Sequence, residues 1–370
     1  MIKVLHFFKT YYPETMGGIE QVIFQIAEGG ARHGFESEVL SLSRQGAARD
    51  EVVGRHVSHR SKLDFQLAST GFSLSVFKDF AALAKRADVI HYHFPWPLMD
   101  LVHFASRIHK PTVVSYHSDI IKQKTLLKLY QPLMGRFLSG VDRIVASSPN
   151  YVQSSPVLNR FKSKVRVIPY GLDRGTYPEP SAEKLNYWRG LVGNRFFLFV
   201  GALRYYKGLD YLLAAAQTTL LPVVILGGGH LEEELKAHAL QLGLTNVYFL
   251  GSLPDDDKAA LLELCYAFVF PSHLRSESFG ISLLEGAMFG KPMISCEIGT
   301  GTTFINIAGE TGLVVPPCDS GALGQAMLSL WQNPEMASTM GKNALRRYEA
   351  IFSADIMAES YAKLYNELLQ

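Results

Sequence analysis

Glu277 and Glu285, separated by seven residues in FPSHLRSESFGISLLE (Phe270–Glu285), are a pair of carboxylates on the approach to a helix. An ionised carboxylate accepts hydrogen bonds on both oxygens and so suits the hydroxyls of a polyhydroxylated ligand. The apolar run Phe268–Phe270 places Glu277 in the following loop and Glu285 about two helical turns further on. Taken alone, the pair reads more readily as solvated helix charges. Upstream, FLFVGALRYYKGLDYLL reads as a strand, a glycine turn and a helix start carrying Arg204 and Lys207. Two cations at a helix start favour a diphosphate, because free N–H groups and the helix dipole add to their charge. Surface cations with no ligand are the plain alternative.

Other residue types point less far. Gly17-Gly18 precedes a helical pattern from Ile19, where a backbone without Cβ atoms lets an anion or sugar come close, or simply turns the chain. His117 closes the apolar run Thr112–Tyr116. His91 and His93 share one face of a strand, as metal ligands can, but no third ligand is evident, so packing is the preferred reading. Asp255-Asp256-Asp257 follows Pro254 and precedes KAALLELC, which reads as an N-cap and first-turn acids rather than a metal triplet. Gly227-Gly228-Gly229 lacks the Lys-Ser/Thr of a phosphate-binding P-loop, which disfavours ATP, and is expected to turn a strand into a helix. Cys265, Cys296 and Cys318 are too far apart for a zinc spacing and read as buried thiols.

These residues hang on a repeated pattern. Apolar runs at Ile2–Phe8, 38–42, 89–93, 112–116, 143–146 and 165–168 alternate with amphipathic stretches, and so do runs at 196–200, 222–226, 247–250, 268–270, 293–295 and 312–315. Strands alternating with helices predict an α/β fold with two doubly wound parallel sheets. The 370 residues suit two domains. The prolines and glycines of Gly171–Gly193 place the boundary near 185, giving domains 1–185 and 186–370. After Pro334 the pattern is helical to the end, and this tail is expected to return to the first domain.

Net charge is only +2, but residues 1–180 hold 23 Lys and Arg against 15 Asp and Glu, whereas the remainder holds 13 against 19. The first half should therefore face something anionic. Nucleic acid is excluded as the expected partner, since no recognised nucleic-acid motif accompanies the charge. In Ile121–Leu138 the cations Lys122, Lys124, Lys128 and Arg136 interleave with leucines, as in a helix lying on an anionic bilayer or a core-facing helix with solvated lysines. No spanning segment or signal-peptide pattern is present, so a cytoplasmic location is expected. The first strand lacks an immediate G-x-G-x-x-G, which disfavours a nicotinamide-dependent oxidoreductase.

Together, the Gly17-Gly18 loop, YHSD with His117, VIPYGLD, VGALRYYKGLD, LGGG, the E-x7-E segment and GETGLVVPP resemble family 4 of the glycosyltransferases along nearly the whole chain. The resemblance implies the GT-B fold, two Rossmann-like domains facing across a cleft, with an N-terminal acceptor domain and a C-terminal nucleotide-sugar domain. It implies that Arg204 and Lys207 hold the donor diphosphate, Glu285 the ribose and Glu277 the donor sugar. Phe279 and Gly280 belong to the same donor segment, Gly17 and Gly18 close over the sugar, and His117 sits beside it. His117, Arg204, Lys207 and Glu277 are the expected catalytic residues, with no metal and no cofactor beyond the nucleotide-sugar co-substrate.

The departure CEIGTGTTFIN leaves hydroxyls and amides of Gly299–Thr302 to replace an acidic contact found in many relatives. The segments look most similar to bacterial O-antigen and lipopolysaccharide mannosyl- and rhamnosyltransferases. The expected reaction is retaining transfer of a hexose or deoxyhexose from a sugar nucleotide to a lipid-linked saccharide, by an enzyme peripheral on the inner face of the cytoplasmic membrane. GDP-mannose or another GDP-sugar is favoured over a UDP-sugar. A non-catalytic sugar-nucleotide-binding protein, or a UDP-sugar-dependent transferase with another acceptor, stays open as the alternative.

Overall fold

The computed structural model describes residues 1–44, 50–67, 70–120 and 124–370. It divides into two compact units, residues 1–171 with 354–370, and residues 172–353. Elements of the first unit run β1 (Ile2–Phe7), α1 (Gly18–Gly30), β2 (Phe35–Ser43), β3 (Glu51–Val53), β4 (His56–Lys62), β5 (Phe65–Leu67), β6 (Thr70–Phe72), α2 (Ser75–Arg86), β7 (Val89–Phe94) and α3 (Pro97–Ser106). They continue with β8 (Thr112–Tyr116), α4 (Lys124–Gly140), β9 (Arg143–Ala146), α5 (Pro149–Ser154), α6 (Pro156–Arg160) and β10 (Val165–Val167). The second unit holds α7 (Ala182–Val192), β11 (Phe197–Val200), α8 (Leu209–Thr219), β12 (Val223–Leu226), α9 (Glu232–Gln241), β13 (Val247–Gly251) and α10 (Asp255–Leu264). It ends with β14 (Ala267–Phe270), α11 (Ile281–Met288), β15 (Met293–Cys296), α12 (Thr302–Ile305), β16 (Gly312–Val315), α13 (Ser320–Gln332) and α14 (Pro334–Ile351), after which α15 (Ala354–Leu369) belongs to the first unit.

The second unit's sheet has the order β13-β12-β11-β14-β15-β16 and is parallel throughout. Its four inner strands are buried on both faces, which is why they read as unbroken apolar runs. The first unit's sheet has the order β10-β9-β8-β7-β1-β2-β4-β3, parallel except for the β3–β4 edge pair. In each sheet the winding reverses beside the first strand, between β1 and β7 and between β11 and β14. Such switch points open a crevice at the carboxyl ends of the strands, and they are where doubly wound sheets take ligands.

The expected boundary near 185 is corrected to Gly171/Leu172, because the proline-rich segment is tied down rather than free. The Tyr177 hydroxyl donates to Glu285 at 2.7 Å and the Trp188 indole to Asp257 at 2.9 Å, so both residues belong to the second unit. At the other end, α15 lies on α1 so closely that a Cβ on Gly29 would fall 2.5 Å from that of Ala358. Tyr361 and Tyr365 of α15 are fully buried in the first unit. Strand β4 escaped the pattern reading because HVSHRSK is polar, yet His56, Ser58, His59 and Ser61 are buried. Three of them are matched by hydrogen bonds: His56 to Tyr11 and Glu28, His59 to Glu38 and Asp50, and Ser61 to Asp79.

Candidate active site

Strand β11 ends in a turn whose single 3-10 turn, Tyr205–Lys207, begins at Arg204. Gly208 closes it at φ +70°, where a Cβ would stand 2.1 Å from the Pro271 carbonyl oxygen; only glycine lets the loops after β11 and β14 come this near. That approach joins the two predicted motifs. Lys207 Nζ lies 2.5 Å from Glu277 Oε2, with the side chains only 10% and 13% exposed. Ser272 Oγ donates to the same oxygen at 3.3 Å. Arg204 is exposed beside Tyr206, whose phenol burial pushes up to about 12.

Glu285 sits on α11, 5% exposed, and its Oε1 accepts from the Tyr177 hydroxyl and pairs with Lys258 Nζ at 3.2 Å. Burial pulls Lys258 down, but Glu285 and Asp255 outweigh it and hold the ammonium above its ordinary value. Both carboxylates are thus anchored through one oxygen, Oε2 of Glu277 and Oε1 of Glu285, and the other oxygen takes no part in those bonds. Tyr177, Lys258 and Ser272 were missed by sequence reading. Lys258 alone carried a signal, directly after the aspartate triplet.

Several expectations about this unit change. Phe279 is 2% exposed, packed where a Cβ on Gly301 would fall 2.5 Å from its ring, so only its backbone is available to a donor. Gly280 caps α11 at φ +102°. Thr300 and Thr302 are fully buried, and the Thr302 hydroxyl donates to the Cys296 carbonyl, so the hydroxyls of Gly299–Thr302 are directed inward. The N-cap of α10 is Pro254, not Asp255; the three aspartates form the first turn. Lys184 pairs with Asp256 and Asp257, and Lys258 with Asp255. Gly227–Gly229 joins β12 towards α9 as expected, and a Cβ on Gly227 would meet the Gly201 carbonyl oxygen at 2.1 Å. Cys265 and Cys296 are buried, but Cys318 is exposed.

In the first unit, Gly17 is the N-cap of α1, and both Gly17 and Gly18 are exposed. Buried Glu20 stands in that helix's first turn. His117 follows β8 at the same carboxyl edge, 2% exposed. Both of its ring nitrogens are engaged, Nε2 with His93 Nδ1 at 2.9 Å and Nδ1 with the Tyr170 hydroxyl at 2.6 Å. Burial pushes its imidazolium down to about 3, so it is neutral at physiological pH. The third histidine that sequence reading lacked is His6 of β1: ligand atoms of His6, His91 and His93 lie within 4.8 Å of one another. His91 is bonded to Tyr365 and Ser115, and His6 to His93 and Ser37.

On α4, Leu126 and Leu129 are 50% and 79% exposed and Lys128 and Arg136 face solvent, whereas Met134, Phe137 and Leu138 are buried in the core. The expected bilayer face is therefore limited to the first half of the helix. Ile121 and Lys122 lie outside the described residues. Among the described residues, no helix is long and apolar enough to cross a membrane.

Comparison with known proteins gives the family. The model of the family "Glycosyltransferase Family 4" matches residues 16–175, and that of "Glycosyl transferases group 1" matches residues 190–347. D-rhamnosyltransferase WbpZ of Pseudomonas aeruginosa is 62% identical over 95% of this chain and 93% of its own. The chain belongs to glycosyltransferase family 4. The family 4 enzyme is also 52% identical to O-antigen chain mannosyltransferase C of Escherichia coli, over 100% of this chain and 99% of the other. Sucrose-phosphate synthase from Thermosynechococcus elongatus superposes with a TM-score of 0.81 at 21% identity, covering 100% and 99% of the two chains, a likeness of fold. The glycosyltransferase has the GT-B fold, with a sugar nucleotide as donor and a saccharide as acceptor.

Proposed function

We propose that the enzyme transfers mannose or rhamnose, with retention of configuration, from a GDP-sugar to a lipid-linked saccharide in O-antigen synthesis. The observation that carries this reading is the Lys207–Glu277 pair at the β11/β14 switch point, in a chain 62% and 52% identical to a rhamnosyl- and a mannosyltransferase. Arg204 and Lys207 bind the diphosphate. Its charge grows as the glycosidic bond breaks, and fixed cations in a half-buried site stabilise that growth without reorganising. The unanchored oxygens of Glu277 and Glu285 take sugar and ribose hydroxyls, while Gly280 and the backbone at Phe279 border the donor. Gly17, Gly18 and His117 are the proposed sugar-binding residues of the first unit. No side chain is assigned as nucleophile: the leaving phosphate oxygen assists the incoming hydroxyl on the same face.

Metal independence is part of the proposal, supported by the cations Arg204 and Lys207 after β11 and by the lysines on Asp255–Asp257. So is peripheral attachment to the inner face of the cytoplasmic membrane, supported by exposed Leu126 and Leu129 beside Lys128. The test is turnover of GDP-mannose, GDP-rhamnose and UDP-glucose with a lipid-linked acceptor, with and without EDTA, reading the product's anomeric configuration by NMR. Turnover of a GDP-sugar in EDTA with retention is expected. Exclusive use of UDP-glucose, inversion, or loss of turnover on chelation each removes the corresponding part, and binding of every donor with no transfer or hydrolysis marks a non-catalytic binder.

A further inference from the structure

Three buried histidines of the first unit form one line. The Tyr170 hydroxyl meets His117 Nδ1 at 2.6 Å, His117 Nε2 meets His93 Nδ1 at 2.9 Å, His93 Nε2 meets His6 Nδ1 at 3.1 Å, and His6 Nε2 meets Ser37 Oγ at 3.2 Å. The rings of His93 and His117 lie 9° from coplanar with centroids 5.1 Å apart, and those of His6 and His93 at 26° and 5.4 Å. Each centroid separation is about the N···N distance plus two ring radii. The rings therefore join edge to edge, with each N–H in the plane of its neighbour's lone pair, rather than stacking face on face.

Such a line has two arrangements. A neutral imidazole carries one N–H and one bare nitrogen, so each histidine donates on one side and accepts on the other. If one ring turns its proton round alone, one junction holds two protons and another none, leaving buried polar atoms unpaired. All three tautomers must therefore run the same way, and the groups at the two ends, Tyr170 with the Ser147 hydroxyl beside it and Ser37, decide which. A phenol is a better donor and a poorer acceptor than a serine hydroxyl, because its oxygen lone pair is drawn into the ring. The short Tyr170 contact fits O–H···N, and the longer Ser37 contact fits an ordinary N–H···O.

We propose that Tyr170 sets the direction of this line, so that His117 is held as the Nε2–H tautomer and acts as a hydrogen-bond donor, not a base. Burial supports this by keeping the rings neutral, with His6 and His117 pushed down to about 3 and His93 well below its ordinary value. Tyr170, His93 and His6 are positioning residues. Resting on the reading that His117 meets the donor sugar, the consequence is that Nε2–H is shared between His93 Nδ1 and a sugar oxygen, so that no proton moves and no buried nitrogen loses its partner. Ionisation of the substrate hydroxyl is left to the departing phosphate.

The experiment is two-bond ¹H–¹⁵N correlation spectroscopy of the full chain labelled with ¹⁵N-histidine, at neutral pH without ligand, with His117→Gln to assign the signals. Nε2–H tautomers are expected at His117, His93 and His6. Tyr170→Phe should give His117 a mixed or Nδ1–H tautomer and lower kcat about tenfold with little change in donor KM, as loss of a transition-state hydrogen bond does. Ser37→Ala, at the accepting end, should leave the His117 tautomer as it is. An Nδ1–H tautomer in the unsubstituted protein overturns the proposal, and so does inversion by Ser37→Ala rather than Tyr170→Phe. Stoichiometric Zn²⁺ uptake shifting the His6, His91 and His93 signals together also overturns it. If the spectra behave as expected but no sugar nucleotide is turned over, the transfer reading fails and the directional line stands.

Discussion

Lys207 Nζ and Glu277 Oε2 lie 2.5 Å apart although 70 residues separate them in the chain. A nearly buried pair of this kind is costly to break on one side, because the remaining charge is left without a partner. Lys207→Ala should destabilise the second unit by about 3 kcal/mol, and the double substitution with Glu277→Gln should recover part of that loss. Neither should restore transfer. Denaturant titration and turnover measured on the same samples check this, and full activity of the double variant would remove both residues from the site.

Tyr177 and Lys258 hold Glu285 from two sides. Tyr177→Phe removes one neutral donor and should cost about 1 kcal/mol in stability while raising donor KM several-fold. Glu285→Ala should abolish most transfer with the fold intact by circular dichroism. An unchanged donor KM in both variants would separate Glu285 from donor binding.

Gly208→Ala places a Cβ 2.1 Å from the Pro271 carbonyl oxygen at φ +70°. The two loops must part, which should cost about 1–3 kcal/mol and carry Lys207 away from Glu277. Loss of transfer larger than the loss of stability is the expected signature. Gly193→Ala, at φ +84° with open space around it, is the control and should retain activity.

The buried histidines make the first unit acid-sensitive. His6 and His117 have native values of about 3 against 6.5 in an unfolded chain, and burial also places His91 and His93 well below 6.5. The unfolded state therefore binds protons that the native state refuses: stability is complete above pH 6.5 and is lost as pH falls towards 3. Each histidine contributes up to about 1.4 kcal/mol per pH unit in that window. Asp100 works the other way: burial raises it to about 8 against 3.8, so its contribution is lost as pH rises between those values. Hydrogen exchange in β1, β7 and β8 from pH 4 to 7 should show protection free energy falling with acid, more steeply in Asp100→Asn. A flat profile would contradict neutral burial of the histidines.

Membrane attachment through α4 predicts co-sedimentation with anionic but not neutral vesicles, weakening as salt shortens the Debye length. Lys128→Gln with Leu129→Gln should reduce it without affecting transfer to a soluble acceptor analogue. Equal binding to both kinds of vesicle would exclude an electrostatic surface contact.

Local information in the chain was enough for the twelve principal strands, the two doubly wound sheets, the Lys207 and Glu277 loops and the aspartate first turn of α10. Burial on both faces leaves an apolar run, and a glycine with charged residues after it marks the carboxyl end of a parallel strand. Polar strand β4 was hidden because its burial depends on partners elsewhere, His56 on Tyr11 and Glu28 and His59 on Glu38 and Asp50. The domain boundary was misplaced for the same reason: prolines mark a break in regular structure, but Tyr177 and Trp188 decide which core the segment joins. The tertiary structure alone brought His6, 87 positions before His93, into one line of hydrogen bonds ending at Tyr170. Sheet order sets β1 beside β7 and β7 beside β8, and nothing within those strands marks their histidines as partners.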